Sequence, residues 1–211
     1  MILGIIPAGG KAERFGSYPK EMLPCGKNQT LLDRTVMALN HGSADRILIL
    51  TSPEKIAIHA GQLGPGYDYR ISRDTVWHSI MESFAYQADW NLYAMPDTYY
   101  PQDVFDQSEM HRMDFNVGLF ETTRADRFGV LIDGQIHDKE KLPPKTYLAW
   151  GVLCWTKNVV DFWLRNLEQI KTHTDAFNLA MKEFGYQACK VKYYFDMASW
   201  DDYKYFIQGE L

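Results

Sequence analysis

Cysteine is scarce in this sequence: only Cys25, Cys154 and Cys189 stand among 211 residues. They are odd in number, far apart and without CxxC spacing, which argues against a zinc site or a disulfide framework and for reduced thiols. No apolar run approaches the ~18 residues of a membrane-spanning helix. Residues 1–6 lead into Pro-Ala-Gly-Gly, not into a signal-cleavage region, so a cytoplasmic protein without a membrane partner is expected. Basic residues do not predominate. Lys and Arg number 22 against 27 Asp and Glu, and the formal charge of −5 argues against nucleic acid or anionic lipid as a partner. The six histidines are scattered and form no HxxxH pair; His78 alone is kept near a candidate site, because it lies on the helix that follows the third strand, although packing is the commoner role. Repeats, low-complexity tracts and interdomain linkers are also lacking. With 46% hydrophobic residues, the chain reads as one domain spanning 1–211 with a substantial core.

What is present is an alternation of strand and helix patterns. Residues 2–6 (ILGII) are a short apolar run closed by Pro7, the mark of a strand buried on both faces. Thr30, with Asp33 three residues on, forms a capping box for a helix reaching about residue 40, and 46–51 (RILILT) repeats the buried-strand pattern. Helices near 54–61 and 75–87 and strands near 67–71 and 91–95 continue the series, which favours a parallel sheet with right-handed crossovers. Strands are expected at 116–120, 128–132 and 147–153. Asp133-Gly134 should turn a hairpin into 135–138, a small antiparallel excursion. Val160, Trp163, Leu164 and Leu167 have helical spacing, as do Phe177, Ala180, Met181 and Phe184 before Gly185. A last strand near 187–195 precedes Ser199, which has the chemistry of a helix cap, and the aromatic-rich tail from Tyr193 to Phe206 is read as packing.

The chemistry concentrates in residues 7–24 (PAGGKAERFGSYPKEMLP). The stretch lacks the GK[ST] ending of a P-loop and the spacing of GxGxxG, which also disfavours a dinucleotide dehydrogenase. Gly9-Gly10 alone fits a plain strand-to-helix turn or an anion-binding loop equally well. Arg14 and Lys20 shift the balance, because a guanidinium fork and a compact ammonium are complementary donors for a polyphosphate. Asp97 stands directly after the strand at 91–95. Ligands collect beyond the carboxyl ends of strands in open α/β sheets, so Asp97 is a candidate site residue, with a turn or cap as its plainer role. Taken alone, the charged run from Asp138 to Lys141 is a solvated loop, and Arg127 is a surface partner for Asp126 or Asp133.

Residues 7–24 resemble the signature of the sugar-phosphate nucleotidylyltransferases, approximately AGGxGxR followed by PKxMLP. Ala8, Gly9, Gly10, Arg14, Pro19, Lys20, Met22, Leu23 and Pro24 match it; Ala12 and Glu13 depart from it. Further resemblances follow in order along almost the whole chain: Pro96-Asp97, Arg127-Phe128-Gly129-Val130, Glu140-Lys141, Gly151, and Tyr194-Phe195-Asp196. The resemblance implies a Rossmann-like, mainly parallel mixed sheet flanked by helices, of the nucleotide-diphospho-sugar transferase type. It implies that Ala8, Gly9 and Gly10 approach a nucleoside triphosphate, with Ser72 and Thr75 also on the nucleotide side, and that Arg14 and Lys20 neutralise its phosphates. Asp97 and Asp196 would hold Mg2+. Glu140 would bind sugar hydroxyls, Lys141 the sugar-1-phosphate, and Gly129 and Gly151 would let backbone approach the sugar.

The implied reaction is attack of a sugar-1-phosphate oxygen on the α-phosphorus, giving an NDP-sugar and pyrophosphate. The family's base-reading glutamine and glycine are missing from Ser72-Arg73-Asp74-Thr75, so the base stays open among UTP, dTTP, CTP and GTP. The chain also stops short of the C-terminal helices that many members add. Two alternatives stay open. One is a cytidylyl- or guanylyltransferase acting on a smaller phosphorylated alcohol or a pterin. The other is a noncatalytic nucleotide- or sugar-binding homologue, suggested by the altered Met197-Ala198-Ser199 after Asp196.

Overall fold

Alternating hydrophobic side chains build a sheet that is covered on both faces. The structure is a computed structural model that describes residues 1–72, 75–106 and 110–209. Strand β1 (Ile2–Pro7) sends Leu3 and Ile5 to one face and Ile6 to the other, all fully buried. The two-stranded ribbon β2 (Pro24–Gly26) and β3 (Gln29–Thr30) leads into α1 (Leu31–His41). Thr30 caps that helix through the expected capping box, accepting from the Asp33 N–H at 3.2 Å while Asp33 accepts from the Thr30 N–H at 2.8 Å. A Cβ at Gly4 would lie 2.9 Å from Leu39 Cδ1, so this glycine lets α1 approach β1 closely.

The alternation continues through β4 (Arg46–Thr51), α2 (Ile56–Leu63), β5 (Asp68–Ile71), α3 (Val76–Ser83) and β6 (Trp90–Ala94). Strands β1, β4, β5 and β6 are mutually parallel in the order β5-β4-β1-β6. The chain leaves β1 toward β4 and later returns on its other side as β6. The carboxyl ends of β1 and β6 therefore flank the topological switch point, where a crevice opens.

After the short β7 (Thr98–Tyr99) come β8 (Phe115–Thr122), β9 (Gly129–Ile132), β10 (Gln135–Asp138) and β11 (Tyr147–Thr156). Strand β11 runs antiparallel to both β6 and β8. Its early residues Leu148 and Ala149 pair with β9, so the β9–β10 hairpin continues along β11 beyond the end of β6. This is the expected antiparallel excursion. Its turn, Asp133 and Gly134, has φ of 49° and 76°, and Ile132 pairs with Gln135.

Helices α4 (Lys157–Arg165) and α5 (His173–Phe184) pack Trp163, Phe177, Ala180 and Met181 against the sheet face that carries Leu3 and Ile5. The expected helical face at 160–167 is shorter than its spacing suggests. Leu164, still inside α4, faces solvent, and Leu167 is exposed where the helix has ended at Arg165 and 167–169 turn as a 3-10 segment. The expected strand at 187–195 is two strands: β12 (Gln187–Lys190) pairs with β8, while β13 (Phe195–Asp196) pairs with β7. Helix α6 (Trp200–Ile207) starts at the expected Ser199 cap. The aromatic tail packs only in part, since Tyr193, Trp200 and Tyr205 stay exposed while Tyr203 and Phe206 lean on Phe15, Leu23, Leu31 and Met197. Among the described residues, no helix is long and apolar enough to cross a membrane.

Candidate functional site

Two adjoining cavities open at the carboxyl ends of β1 and β6. The first, of about 500 Å³, is lined by Ala8, Gly9, Gly10, Ser72 and Thr75, with Lys55 and Glu21 at its base. The second, of about 350 Å³, is lined by Arg14, Arg127, Gly129, Lys139 and Asp196. Lys20, Val76, Met95 and Asp97 belong to both, so the expected Lys20 and Asp97 stand at the junction. Both volumes fall in the range of small-molecule sites.

The glycine loop owes its bare surface to neither sterics nor twist. A Cβ at Gly10 would meet no atom within 4 Å, one at Gly9 would make only ordinary contacts, and neither residue has positive φ. By contrast, Ala12 sits in the left-handed region at φ 52°, ahead of the 3-10 turn Glu13–Phe15 that carries Arg14. This explains why glycine suits that position in the resembling family. Left-handed backbone costs an L-residue about 1–2 kcal/mol, and glycine's extra unfolded-state freedom returns roughly half of that. Ala12→Gly should therefore raise the urea midpoint, by a stability gain of about 0.5–1 kcal/mol; a lowered midpoint would refute the strain.

A buried polar network supports the loop from behind. Lys55, at the start of α2, donates to Ala8 O at 3.3 Å, to Gly10 O, and to Glu21 Oε1 at 3.0 Å. His59, one turn along α2, shares Glu21 Oε1 at 2.8 Å through Nε2 and meets Thr51 Oγ1 at 2.9 Å through Nδ1. Burial pushes the Glu21 carboxyl up, but the His59 hydrogen bond and the Lys55 charge outweigh it and hold the group below its ordinary value. None of these three residues was singled out from the sequence. The available signal was the i, i+4 spacing of Lys55 and His59, which puts both on one face of a helix.

At the junction, Lys20 is ion-paired with Asp97. Burial pulls the Lys20 ammonium down, yet Asp97, with smaller help from Asp196 and Glu21, holds it above its ordinary value. The β7–β13 ribbon sets Asp196 opposite Thr98, and the Met197 N–H donates to Asp97 O at 3.0 Å, which brings the two aspartates side by side. Asp196 rises from 3.8 to about 6, first through burial and then through the Asp97 charge, against the pull of Lys20 and Arg127. Asp97 Oδ1 is buried and has no hydrogen-bond partner among the described residues. A crowded, underpaired carboxylate pair fits a hard divalent cation that takes one or two carboxylates and completes its shell with waters and phosphate oxygens. Among the described residues there is no cluster of three or more acidic, histidine or cysteine ligands, so the donor set does not suit a metal that needs an all-protein cage.

Several expected roles change at the second cavity. Arg127 is not a surface partner of Asp126 or Asp133. It is mostly buried and bonds Asp196 at 3.1 Å and Asp202 at 3.0 Å, the latter also bound by Ser199 Oγ at 2.7 Å. Glu140 and Lys141 line neither cavity; both are exposed, and Glu140 meets His137 at 3.1 Å. The preceding acid–lysine pair, Asp138-Lys139, lines the second cavity instead. Asp138 pairs with Gly129 as the last rung of the hairpin, and Lys139, at φ 54°, donates its N–H to Phe128 O at 3.2 Å. Counting rungs back from the Asp133-Gly134 turn would have found this pair. Gly129 does line the cavity, and a Cβ there would collide with the Trp150 indole. Gly151 does not line either cavity; its bare Cα makes room for the half-buried Tyr194 ring, which lines the second cavity and stacks on Phe120 at 4.0 Å.

On the first-cavity side, Ser72 Oγ lies 2.8 Å from Ser79 Oγ, and Thr75 caps α3. Arg73 and Asp74, between them, lie outside the described residues. His78 lines neither cavity and hydrogen-bonds Thr75 Oγ1 at 2.8 Å. His173, overlooked in the sequence, lines the second cavity at the start of α5, 3.8 Å from Asp138; burial holds its imidazole below the ordinary value, with Asp138 opposing. Met197, one of the altered residues after Asp196, is fully buried between Phe15, Leu23 and Leu31, so it anchors the ribbon that carries Asp196.

A doubly covered mixed sheet with paired cavities at its switch point is an α/β architecture suited to holding small ligands. Residues 4–107 match the MobA-like NTP transferase domain. The whole fold matches a crystal structure described as a glucose-1-phosphate thymidylyltransferase from Bacillus anthracis in complex with sucrose, with a TM-score of 0.84, 19% identity, and coverage of 98% of this chain and 94% of that one. No curated protein matches the sequence. The domain match spans just under half of the chain, and the structural match shows that the chain shares the fold of that structure.

Proposed function

We propose that the protein joins a nucleoside triphosphate to a sugar-1-phosphate, releasing pyrophosphate. The observation that carries this reading is the pair of cavities meeting at Lys20 and Asp97. The triphosphate occupies the glycine-loop cavity and the acceptor the second. An acceptor phosphate oxygen, already anionic, forms a bond to the α-phosphorus as the bond to pyrophosphate breaks, so no general base is needed. Arg14, Lys20 and Lys139 offset the repulsion between two anions and hold the reacting atoms in line. Trp150 and Phe128 supply apolar wall for a sugar ring, and Asp138 acceptor oxygens for its hydroxyls. Asp97 and Asp196 would hold Mg2+, which supplies charge stabilisation at phosphate oxygens. Arg127 keeps the Asp196 carboxylate turned toward Asp97.

The test is pyrophosphate release over a grid of UTP, dTTP, CTP and GTP against hexose-1-phosphates, with smaller phosphorylated alcohols and a pterin as further acceptors, with and without Mg2+. Release with a hexose-1-phosphate supports the reading. Release only with a smaller acceptor transfers the assignment to the cytidylyl or guanylyl alternative, and nucleotide binding without release under any combination marks a noncatalytic homologue. In the same assay Lys139→Ala should lower kcat/KM by about 10-fold, the scale of a charged hydrogen bond lost at the cavity rim, while Lys141→Ala stays near wild type. The reverse order would return the acceptor role to Lys141.

A further inference from the structure

Lys55 lines the first cavity, yet its ammonium is engaged by the protein itself. An ammonium has three N–H donors, and Lys55 has three protein acceptors: Ala8 O, Gly10 O and Glu21 Oε1. It has no donor left for a ligand unless one of these bonds breaks. Its effect on the loop follows from peptide geometry. In a trans peptide the C=O and the N–H of the next residue point in opposite directions. Drawing the carbonyls of Ala8 and Gly10 inward to one ammonium therefore turns the N–H groups of Gly9 and Lys11 outward, toward the cavity. Among the described residues neither N–H has a backbone acceptor, whereas the Ala8 N–H is held by Leu50 O at 2.6 Å.

We infer that Lys55 is a positioning residue that clamps the glycine loop so that the Gly9 and Lys11 amides face the phosphates of the nucleotide. Glu21 and His59 hold the clamp in turn. Glu21 accepts from both, His59 is anchored by Thr51 at the end of β4, and all four lie beneath the loop, three of them almost wholly buried. The inference rests on the nucleotide reading of the first cavity. It separates two kinds of cation there: Lys20 and Arg14 act on the ligand directly, and Lys55 acts through backbone.

The probe is inorganic tripolyphosphate, which isolates the phosphate contacts from base and sugar. In 15N-labelled wild-type protein, adding it should shift the Gly9 and Lys11 amide resonances and leave that of Ala8 in place. Lys55→Met alone strands the buried Glu21 charge, so the affinity comparison uses Lys55→Met/Glu21→Gln, which leaves the network neutral. Its tripolyphosphate affinity should fall by about 10- to 100-fold, the scale of charge-assisted hydrogen bonds lost. A merely structural Lys55 would lower thermal stability and leave that affinity unchanged in the folded fraction, which would overturn the clamp while leaving the nucleotide reading intact. Wild-type protein that does not bind tripolyphosphate would overturn both. If the double variant does not fold, the wild-type spectrum decides: unmoved Gly9 and Lys11 amides in the bound state reject the outward orientation, and shifted ones uphold it.

Discussion

Lys20→Ala should cost about 100- to 1,000-fold in kcat, the scale of removing one preorganised charge from a developing transition state. Lys20 stands where both cavities meet, half-buried beside Asp97, with Asp196 and Glu21 adding to its field. On the proposed reading, a cation there would attract the triphosphate and the acceptor phosphate together, with an effect that grows as charge concentrates between them. The loss should fall mainly on kcat, because the ground-state anions keep Arg14 and Lys139. Removing Lys20 also strips Asp97 of its partner, so the variant should be less stable without Mg2+ than with it. Circular dichroism and thermal melting with Mg2+ present verify the fold. Unchanged steady-state kinetics in a folded Lys20→Ala protein would remove Lys20 from the reaction.

The second large effect is a metal-linked dependence of stability on pH. Asp196 has its folded-state value raised from 3.8 to about 6, first by burial and then by Asp97. Between those values the folded protein binds a proton that the unfolded chain does not. The stability this provides is full below about pH 4 and is lost as pH rises through about 6, on the order of 3 kcal/mol for a shift of this size. Above pH 6 two neighbouring carboxylates are charged together, and a divalent cation relieves the repulsion. Melting curves should therefore show Mg2+ protecting the protein at pH 7.5 and hardly at all at pH 5. Asp196→Asn should flatten the metal-free pH slope and abolish the protection. Equal protection by Mg2+ at both pH values, or protection that survives Asp196→Asn, would dissociate the metal from this pair.

The fold was legible because its signals are local. Apolar runs closed by glycine or proline gave β1, β4 and β6, and the Thr30–Asp33 capping box and the Ser199 cap started their helices where expected. The left-handed pair Asp133-Gly134 gave the hairpin turn. The segment at 187–195 was misjudged because a β-pattern does not say which sheet each half joins; residues 187–190 and 195–196 pair with different partners. Likewise, helical spacing at Leu164 and Leu167 does not say where α4 stops.

By itself, then, the sequence determined most of the element order, the glycine loop that carries Arg14 and Lys20, and the position of Asp97 just after β6, since these depend on neighbours along the chain. Only the tertiary structure decided which charges face which space. Hairpin register turned Asp138-Lys139 into the second cavity and left Glu140-Lys141 in solvent. The β7–β13 ribbon brought Asp196 to Asp97 across about a hundred residues and gave Arg127 its partners. The return of α2 past the end of β4 to the glycine loop set Lys55 and His59 on Glu21. Burial and charge at a site are sums over residues distant in sequence, and only the folded chain brings those residues together.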